Sequence, residues 1–358
     1  MSMPQKHLLH VFPTFAVGGS QMRFAQLARL HGQRYRHTVI ALDGKTDMAE
    51  RLCGLPVTCE ALQFDKRKPL QTWRRFRAAL HRMRPDVLFT YNWGAIEWAL
   101  INRLEGIARH IHIEDGFGPE EASKQLKRRV WARRLALSGR NTTVVLPSRN
   151  LEKIALNIWA LPPERVRFIS NGIDCPRFSV PARSNSSGHV TIGTVASLRR
   201  EKNIARLIQA FAGIAATRDL ELLIVGDGAE RQGLEQQARE LNIASRVRFA
   251  GQSNRPEDWY PQMDIFALSS DTEQMPLSVL EAMAASLPVV ATAVGDVAQM
   301  VSDQNRDYVV PAQAFAAALA RLVGDAAARR SIGLANEKKA RENFDENVMA
   351  AQYAALIG

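Results

Sequence analysis

The chain has 358 residues, 46% of them hydrophobic and 23% charged, which supplies material for packed cores and, at roughly 150 residues per domain, suggests two domains. That balance excludes whole-chain disorder, collagen and coiled coil, and no apolar run reaches the roughly 18 residues that span a bilayer. The net charge of +11 is uneven: residues 1–180 carry 29 Lys and Arg against 15 Asp and Glu, and the remainder 18 against 21, so a polycationic half precedes a nearly neutral one.

In chain order the predicted elements alternate strand and helix. Residues 7–12 and 37–42 read as strands with a helix over 21–31 between them. Further strands are expected over 87–91, 111–113, 143–146 and 166–169. They are short apolar runs, as a parallel sheet covered on both faces requires. Two basic stretches, 66–84 and 124–140, have helical spacing of Trp73, Phe76 and Leu80, and of Leu126, Val130, Trp131 and Leu135. Each reads either as a core-facing apolar stripe with a solvated basic face, or as a basic helix suited to an anionic membrane interface. Residues 179–189 (SVPARSNSSGH) turn polar and read as a linker. A second series follows, with strands over 190–197, 221–225, 247–250, 265–268 and 289–291. Helices are expected over 204–215, 230–241, 278–285 and 326–357. The expected fold class is α/β: two tandem Rossmann-like doubly wound domains, 1–178 and 190–340, facing across an interdomain cleft, with 341–358 as a C-terminal helix that can pack back on the first.

The N-terminus lacks the pattern of a signal peptide, because one Lys precedes a short apolar stretch that reads as the first strand. The three cysteines, Cys53, Cys59 and Cys175, are odd in number and without metal spacing, which fits a reducing cytoplasm. A cytoplasmic protein, with peripheral contact to the membrane's cytoplasmic face, is the expectation. The basic half favours an anionic partner; no nucleic-acid-binding module is recognisable, so a membrane surface is preferred to nucleic acid.

Three motifs carry chemistry. Gly18-Gly19-Ser20-Gln21 follows the first strand and opens a helix, where backbone can approach a ligand closely and free N–H groups favour phosphate. It is not the dinucleotide pattern G-x-G-x-x-G. Gly226-Asp227-Gly228 gives a tight turn after a strand, which ordinary loop geometry also explains. The sharpest is the segment 269–284 (SSDTEQMPLSVLEAMA), with Glu273 in a loop and Glu281 eight residues on, about a turn into the following helix. There, N–H groups can face a diphosphate while two carboxylates accept from sugar hydroxyls; as mere dipole partners the two acids would mean less. His110 and His112 share a strand face, which suggests a metal, but a satisfied structural pair is expected.

These residues resemble a known family. SSDTEQMPLSVLEAMAASLPVVAT is similar to the signature of the family-four retaining glycosyltransferases, which have the GT-B fold. IGTVASLRREKNIARLIQAF, LLIVGDGAERQGLEQQARELNIASRVRFAGQ, SNGID and FAVGGSQMRFAQLA resemble further segments of it, so the resemblance covers nearly the whole chain. It implies a donor-binding second domain and an acceptor-side first domain. Glu281 would bind ribose hydroxyls, and Glu273 the transferred sugar. Met275, Pro276 and Leu277 would form the turn holding sugar and phosphate. Lys202 would stabilise the departing nucleoside diphosphate, and residues 249–252, with Phe249 and Gly251 among them, would line the base. Gly226 would lie at the donor site, and Gly18 and Gly19 would let the N-terminal loop approach the donor phosphate and the acceptor. Two departures matter. The family's G-R-L arginine is missing at Ala196-Ser197-Leu198, so Arg199 or Arg200 is the candidate replacement cation. Asp115 occupies the place where the family often has a His near the reacting carbon.

The resemblance implies retention, and no carboxylate nucleophile stands out, so attack from the leaving-group face is expected. The expected activity is transfer of a hexosyl group from a nucleotide sugar, UDP by default, to a lipid-linked or cell-envelope saccharide. No metal and no cofactor beyond the nucleotide sugar are expected. A sugar-nucleotide epimerase on the same scaffold and a non-catalytic sugar-nucleotide-binding protein are the alternatives.

Overall fold

The structure is a computed structural model and describes residues 5–62, 68–117, 121, 125–179, 189–216 and 218–358. Most of the expected linker, and Lys66, Arg67 and Lys124 of the basic stretches, lie outside the described residues. The chain divides into two units: Met1–Asn171 with Met349–Gly358, and Gly172–Val348.

The first unit holds a seven-stranded sheet in the order β3-β2-β1-β4-β5-β6-β7, every pairing parallel. Its strands are β1 Lys6–Phe12, β2 Tyr35–Ala41, β3 Val57–Ala61, β4 Val87–Tyr91, β5 Arg109–Ile113, β6 Thr142–Leu146 and β7 Val166–Phe168. Helices α1 Gly19–His31, α2 Pro69–Met83, α3 Ile96–Glu105, α4 Lys127–Leu137 and α5 Arg149–Asn157 intervene. The second unit holds a six-stranded parallel sheet in the order β10-β9-β8-β11-β12-β13. Its strands are β8 Val190–Val195, β9 Leu220–Val225, β10 Val247–Gly251, β11 Ile265–Leu268, β12 Val289–Thr292 and β13 Val309–Val310. It also carries α6 Cys175–Phe178, α7 Ile204–Ala215, α8 Arg231–Glu240, α9 Leu277–Ala284, α10 Val297–Met300, α11 Phe315–Val323 and α12 Ala326–Asn343, and α13 Glu346–Ile357 closes the chain. Central strands such as β11 and β12 are buried throughout, because helices cover both faces of the sheet.

Two strands escape the sequence reading, β3 (VTCEA) and β13 (VV), both at sheet edges where an uninterrupted apolar run is not required. The single helix expected over 326–357 is two, α12 and α13. Backbone at the break bonds elsewhere: Ile173 N–H donates to the Phe344 carbonyl and Glu346 N–H to the Ile173 carbonyl, 2.9 and 2.8 Å. Beyond the break, Met349, Ala350, Tyr353 and Ile357 pack into the core of the first sheet.

In each sheet the strand order reverses between two neighbours, β1 and β4 in the first, β8 and β11 in the second. A doubly wound sheet opens a crevice at the carboxyl ends of such a pair. The loops leaving β1 and β4, and those leaving β8 and β11, are therefore where ligands belong, with the loop leaving β5 next to the first pair.

Seven of the eight histidines lie in the first unit. His10 Nε2 meets His37 Nδ1 at 3.0 Å, His10 Nδ1 meets the Tyr91 hydroxyl at 3.1 Å, and His7 Nε2 meets Thr38 Oγ1 at 2.9 Å. Burial, then neighbouring imidazoles, hold His10 well below its ordinary range, His37 at about 4 and His110 at about 3. As pH falls below about 6.5 the unfolded chain takes up protons that the fold refuses, so this stability is present above that pH and is lost progressively toward pH 4. Each such group costs up to about 1.4 kcal/mol per pH unit in that window. The first unit should lose hydrogen-exchange protection between pH 6.5 and 4 well ahead of the second, whose histidine is the partly exposed His189; equal loss in both would contradict this.

Candidate functional site

In the second unit the loop leaving β11 is fastened to the loop leaving β8. Asp271 N–H donates to the Glu201 carbonyl at 2.8 Å and Ser269 Oγ to the Lys202 carbonyl at 3.1 Å. Arg206, from the first turn of α7, spans both the Ser269 carbonyl (2.7 Å) and the Asp271 carboxylate (2.6 Å), and Asn203 caps α7 while also donating to Asp271. This frame presents Lys202 and Glu273 to each other: Lys202 Nζ lies 2.6 Å from Glu273 Oε1, which also accepts from Ser270 Oγ at 2.7 Å. Arg199 and Arg200 are exposed and pair with no acid among the described residues.

Glu281 stands in the second turn of α9, whose N-cap is Pro276. Its Oε2 accepts from the hydroxyl of fully buried Tyr260 at 2.5 Å. Burial raises the Glu281 carboxyl above its usual range, against the Tyr260 hydrogen bond and the nearby Arg177, which pull it down. Met275 and Pro276 are buried and Leu277 is half-buried, so the turn is fixed by packing into the core. A residue outside the recognised motifs holds it from behind. Gly295, at φ +53°, would drive a Cβ to 2.5 Å from the Glu273 and Gln274 carbonyl oxygens, and Asp296 N–H bonds the latter at 2.9 Å. Such a close approach leaves room only for glycine.

Gly226 has a structural cause. At φ +141° its Cβ would lie 1.8 Å from the Ala196 carbonyl oxygen, so the glycine admits the backbone leaving β8, and its N–H donates to Gly251 at 2.8 Å. Phe249 is half-buried and packs against the core of the unit. The structure thus brings Lys202, Glu273 and their loops together, whereas Phe249, Gly226 and Gly251 meet at the neighbouring edge, β9–β10.

In the first unit, Gly18 has extended backbone at φ −167° and faces the side chain of Gln21, which is anchored on the Thr14 carbonyl at 2.8 Å; space around Gly19 is open. Asp115, just past β5, forms a two-pronged ion pair with Arg23 of α1, Nη1–Oδ1 2.6 Å and Nη2–Oδ2 2.8 Å. His110 and His112 both meet Thr90 Oγ1 at 2.8 Å, and His110 Nδ1 meets Thr142 Oγ1 at 3.1 Å. His110 is thus partnered at both ring nitrogens, as expected of a structural histidine, whereas His112 Nε2 is buried without a hydrogen-bond partner, 3.6 Å from Glu114; no cluster of three metal-ligating side chains occurs among the described residues.

Beside Asp115, Glu114 begins a buried cage. Arg133, fully buried, reaches Glu114 at 3.2 Å and both oxygens of Glu121 at 3.2 and 3.1 Å, while Trp93, Phe117 and Trp159 surround its guanidinium at 5.0–5.3 Å. The apolar stripe expected on α4 is therefore not what this helix buries: Arg133 turns inward and Trp131 is 67% exposed. In α2 the expectation of a core-facing stripe holds, with Phe76 and Leu80 buried.

Two family models together account for most of the chain: Glycosyltransferase Family 4 matches residues 17–177 and Glycosyl transferases group 1 matches residues 189–325. The chain belongs to the family-four glycosyltransferases. Among similar proteins, the N-acetyl-alpha-D-glucosaminyl L-malate synthase of Bacillus anthracis is 28% identical over 165 residues, 45% of this chain and 43% of that one. The lipopolysaccharide core biosynthesis glycosyltransferase LpsE of Rhizobium meliloti is 27% identical over 198 residues, 54% of this chain and 57% of that one. The matched stretches thus span about half the length of these relatives. The GT-B glycosyltransferase fold is shared with HepE of Anabaena, solved with UDP and glucose, at TM-score 0.80 and 18% identity over 98% of both chains.

Proposed function

We propose that this family-four member is a retaining glycosyltransferase that moves a hexosyl group from a UDP-sugar to a lipid-linked or cell-envelope saccharide. The observation that carries the reading is the placement of Lys202 and Glu273 side by side on the loops that leave β8 and β11 at the strand-order reversal. A donor diphosphate would draw Lys202 away from Glu273, freeing that carboxylate to accept from the sugar hydroxyls. Arg199 and Arg200 would supply further positive charge for the leaving diphosphate. Glu281, oriented by Tyr260, would hold the ribose diol. UDP and glucose in HepE and the name of LpsE support the choice of donor and acceptor class.

Asp115, at the position where the family often has a His near the reacting carbon, would stabilise positive charge at the anomeric carbon. Both of its oxygens are engaged by Arg23, which suits electrostatic support and not nucleophilic attack. The bond from the anomeric carbon to the UDP oxygen would break as the acceptor hydroxyl oxygen bonds that carbon from the same face, its proton passing to the departing phosphate oxygen, which preserves anomeric configuration. A thermal-shift screen of UDP-, GDP- and ADP-sugars tests the donor: a UDP-sugar at about 100 times its Kd should add about 2.7 kcal/mol of stability. A shift with GDP- or ADP-sugars alone would replace the donor, and binding without sugar transfer to any acceptor would favour the non-catalytic reading.

The acceptor class fits a surface of α4. Lys127, Arg128, Trp131, Arg134 and Leu135 are exposed and recur at three- and four-residue intervals, which places an aromatic ring among cations on one face. We expect the protein to float with phosphatidylglycerol vesicles at low salt, and Trp131→Ser to weaken this severalfold; failure of the wild type to float removes the membrane from the proposal.

A further inference from the structure

Arg23 was not among the residues singled out by sequence, yet it is the most constrained cation near Asp115. It is 5% exposed, whereas Asp115 is 22% exposed, so the arginine stands behind the carboxylate. Its fork meets both Asp115 oxygens: Nη2 donates to Oδ2 at 2.8 Å and Nη1 lies 2.6 Å from Oδ1, while Nη1 also donates to Asn171 Oδ1 at 2.7 Å. The Asp115 backbone is fixed separately: its N–H donates to Asn92 Oδ1 at 2.8 Å. Asn92 itself sits at φ +55°, an uncommon conformation for a residue other than glycine, held by its N–H on the Ile113 carbonyl at 2.8 Å. Buried Tyr91 and Tyr353 flank the pair, the second from α13. Burial works against the charge on Arg23, and Asp115 more than offsets it, raising the guanidinium above its usual range.

We infer that Arg23 is a positioning residue for the transfer reaction, locking the Asp115 carboxylate in one orientation through a bidentate fork whose other side is tied to Asn171. This rests on the reading of Asp115 given above. Only a planar guanidinium can hold both oxygens and the Asn171 carbonyl at once, so lysine is a poor substitute.

The test is a double-mutant cycle on the full chain, using the sugar nucleotide with the largest thermal shift and following nucleoside diphosphate release. Arg23→Met should lower kcat about 30-fold or more with donor KM within about twofold, and Arg23→Lys should recover only part of the loss. Added methylguanidinium should restore part of the activity of Arg23→Met. In the Asp115→Asn background, Arg23→Met should cost nothing further. An equal loss in both backgrounds, without rescue, would show that Arg23 serves folding alone and overturn the inference. Wild-type turnover of Asp115→Asn by itself would instead sink the underlying reading of Asp115. Should Arg23→Met fail to fold, Arg23→Lys carries the same cycle, with additivity again the overturning result.

Discussion

Replacing Glu281 by Ala is expected to reduce turnover about 100-fold or more while leaving the melting temperature within a few degrees of wild type. The carboxylate has one firm protein partner, the Tyr260 hydroxyl at 2.5 Å, and lies in the second turn of α9, whose neighbouring residues packing already fixes. Removing it thus costs the fold about one hydrogen bond to a charged group, or about 1.5–3 kcal/mol, set against relief of a carboxyl that burial disfavours. The loss at the ligand is larger in consequence, because a ribose diol would be left without its acceptor. Glu273→Ala and Lys202→Ala should behave alike, since each leaves the other's charge unpaired while the Arg206–Asp271 frame remains. Kinetics with the best donor and calorimetry on the same samples settle both halves; wild-type turnover in the two glutamate variants would remove the donor-site assignment. Donor affinity should also weaken as pH falls through the raised Glu281 range, because a protonated carboxyl offers fewer acceptor sites to the diol.

Arg133→Met should destabilise the first unit by about 3–5 kcal/mol, the usual cost of stripping one partner from a buried charge network. Glu114 and Glu121 are both almost wholly buried: Glu121 would keep only Arg129, at 3.2 Å, and Glu114 would be left without an arginine partner among Trp93, Phe117 and Trp159. For Glu121, burial alone would raise the carboxyl, yet the Arg133 pairing, the Leu126 N–H and Arg129 hold it below the usual range. That part of the stability is present at neutral pH and is lost as pH falls through the lowered carboxyl range, so the penalty of the substitution should shrink in acid. Scanning calorimetry from neutral pH to well below 4.5, the ordinary carboxyl value, checks both sign and size. Adding Glu114→Gln and Glu121→Gln should return much of the loss. A penalty below about 1 kcal/mol at neutral pH would mean that the cage is not held by its charges.

Periodicity and composition made the two α/β series and the central strands legible, because a strand covered on both faces must be apolar along its whole length, and such runs stand out in a linear string. The Glu273–Glu281 spacing was legible for a related reason: both ends of the motif lie on one continuous loop and helix. What the string did not disclose was pairing across distance. Arg23 and Asp115 are 92 residues apart, Tyr260 and Glu281 are 21 apart, and Gly295 supports a turn that precedes it by some twenty residues. Nor did spacing reveal that α4 would bury Arg133 and expose Trp131, since an inward arginine is tolerable only where two acids and three rings converge on it from other elements. Local order along the chain sets which backbone elements form, through hydrophobic period and turn chemistry. Whether a charged side chain points inward, and which partner meets it there, depends on desolvation and pairing energies that exist only once distant segments have come together.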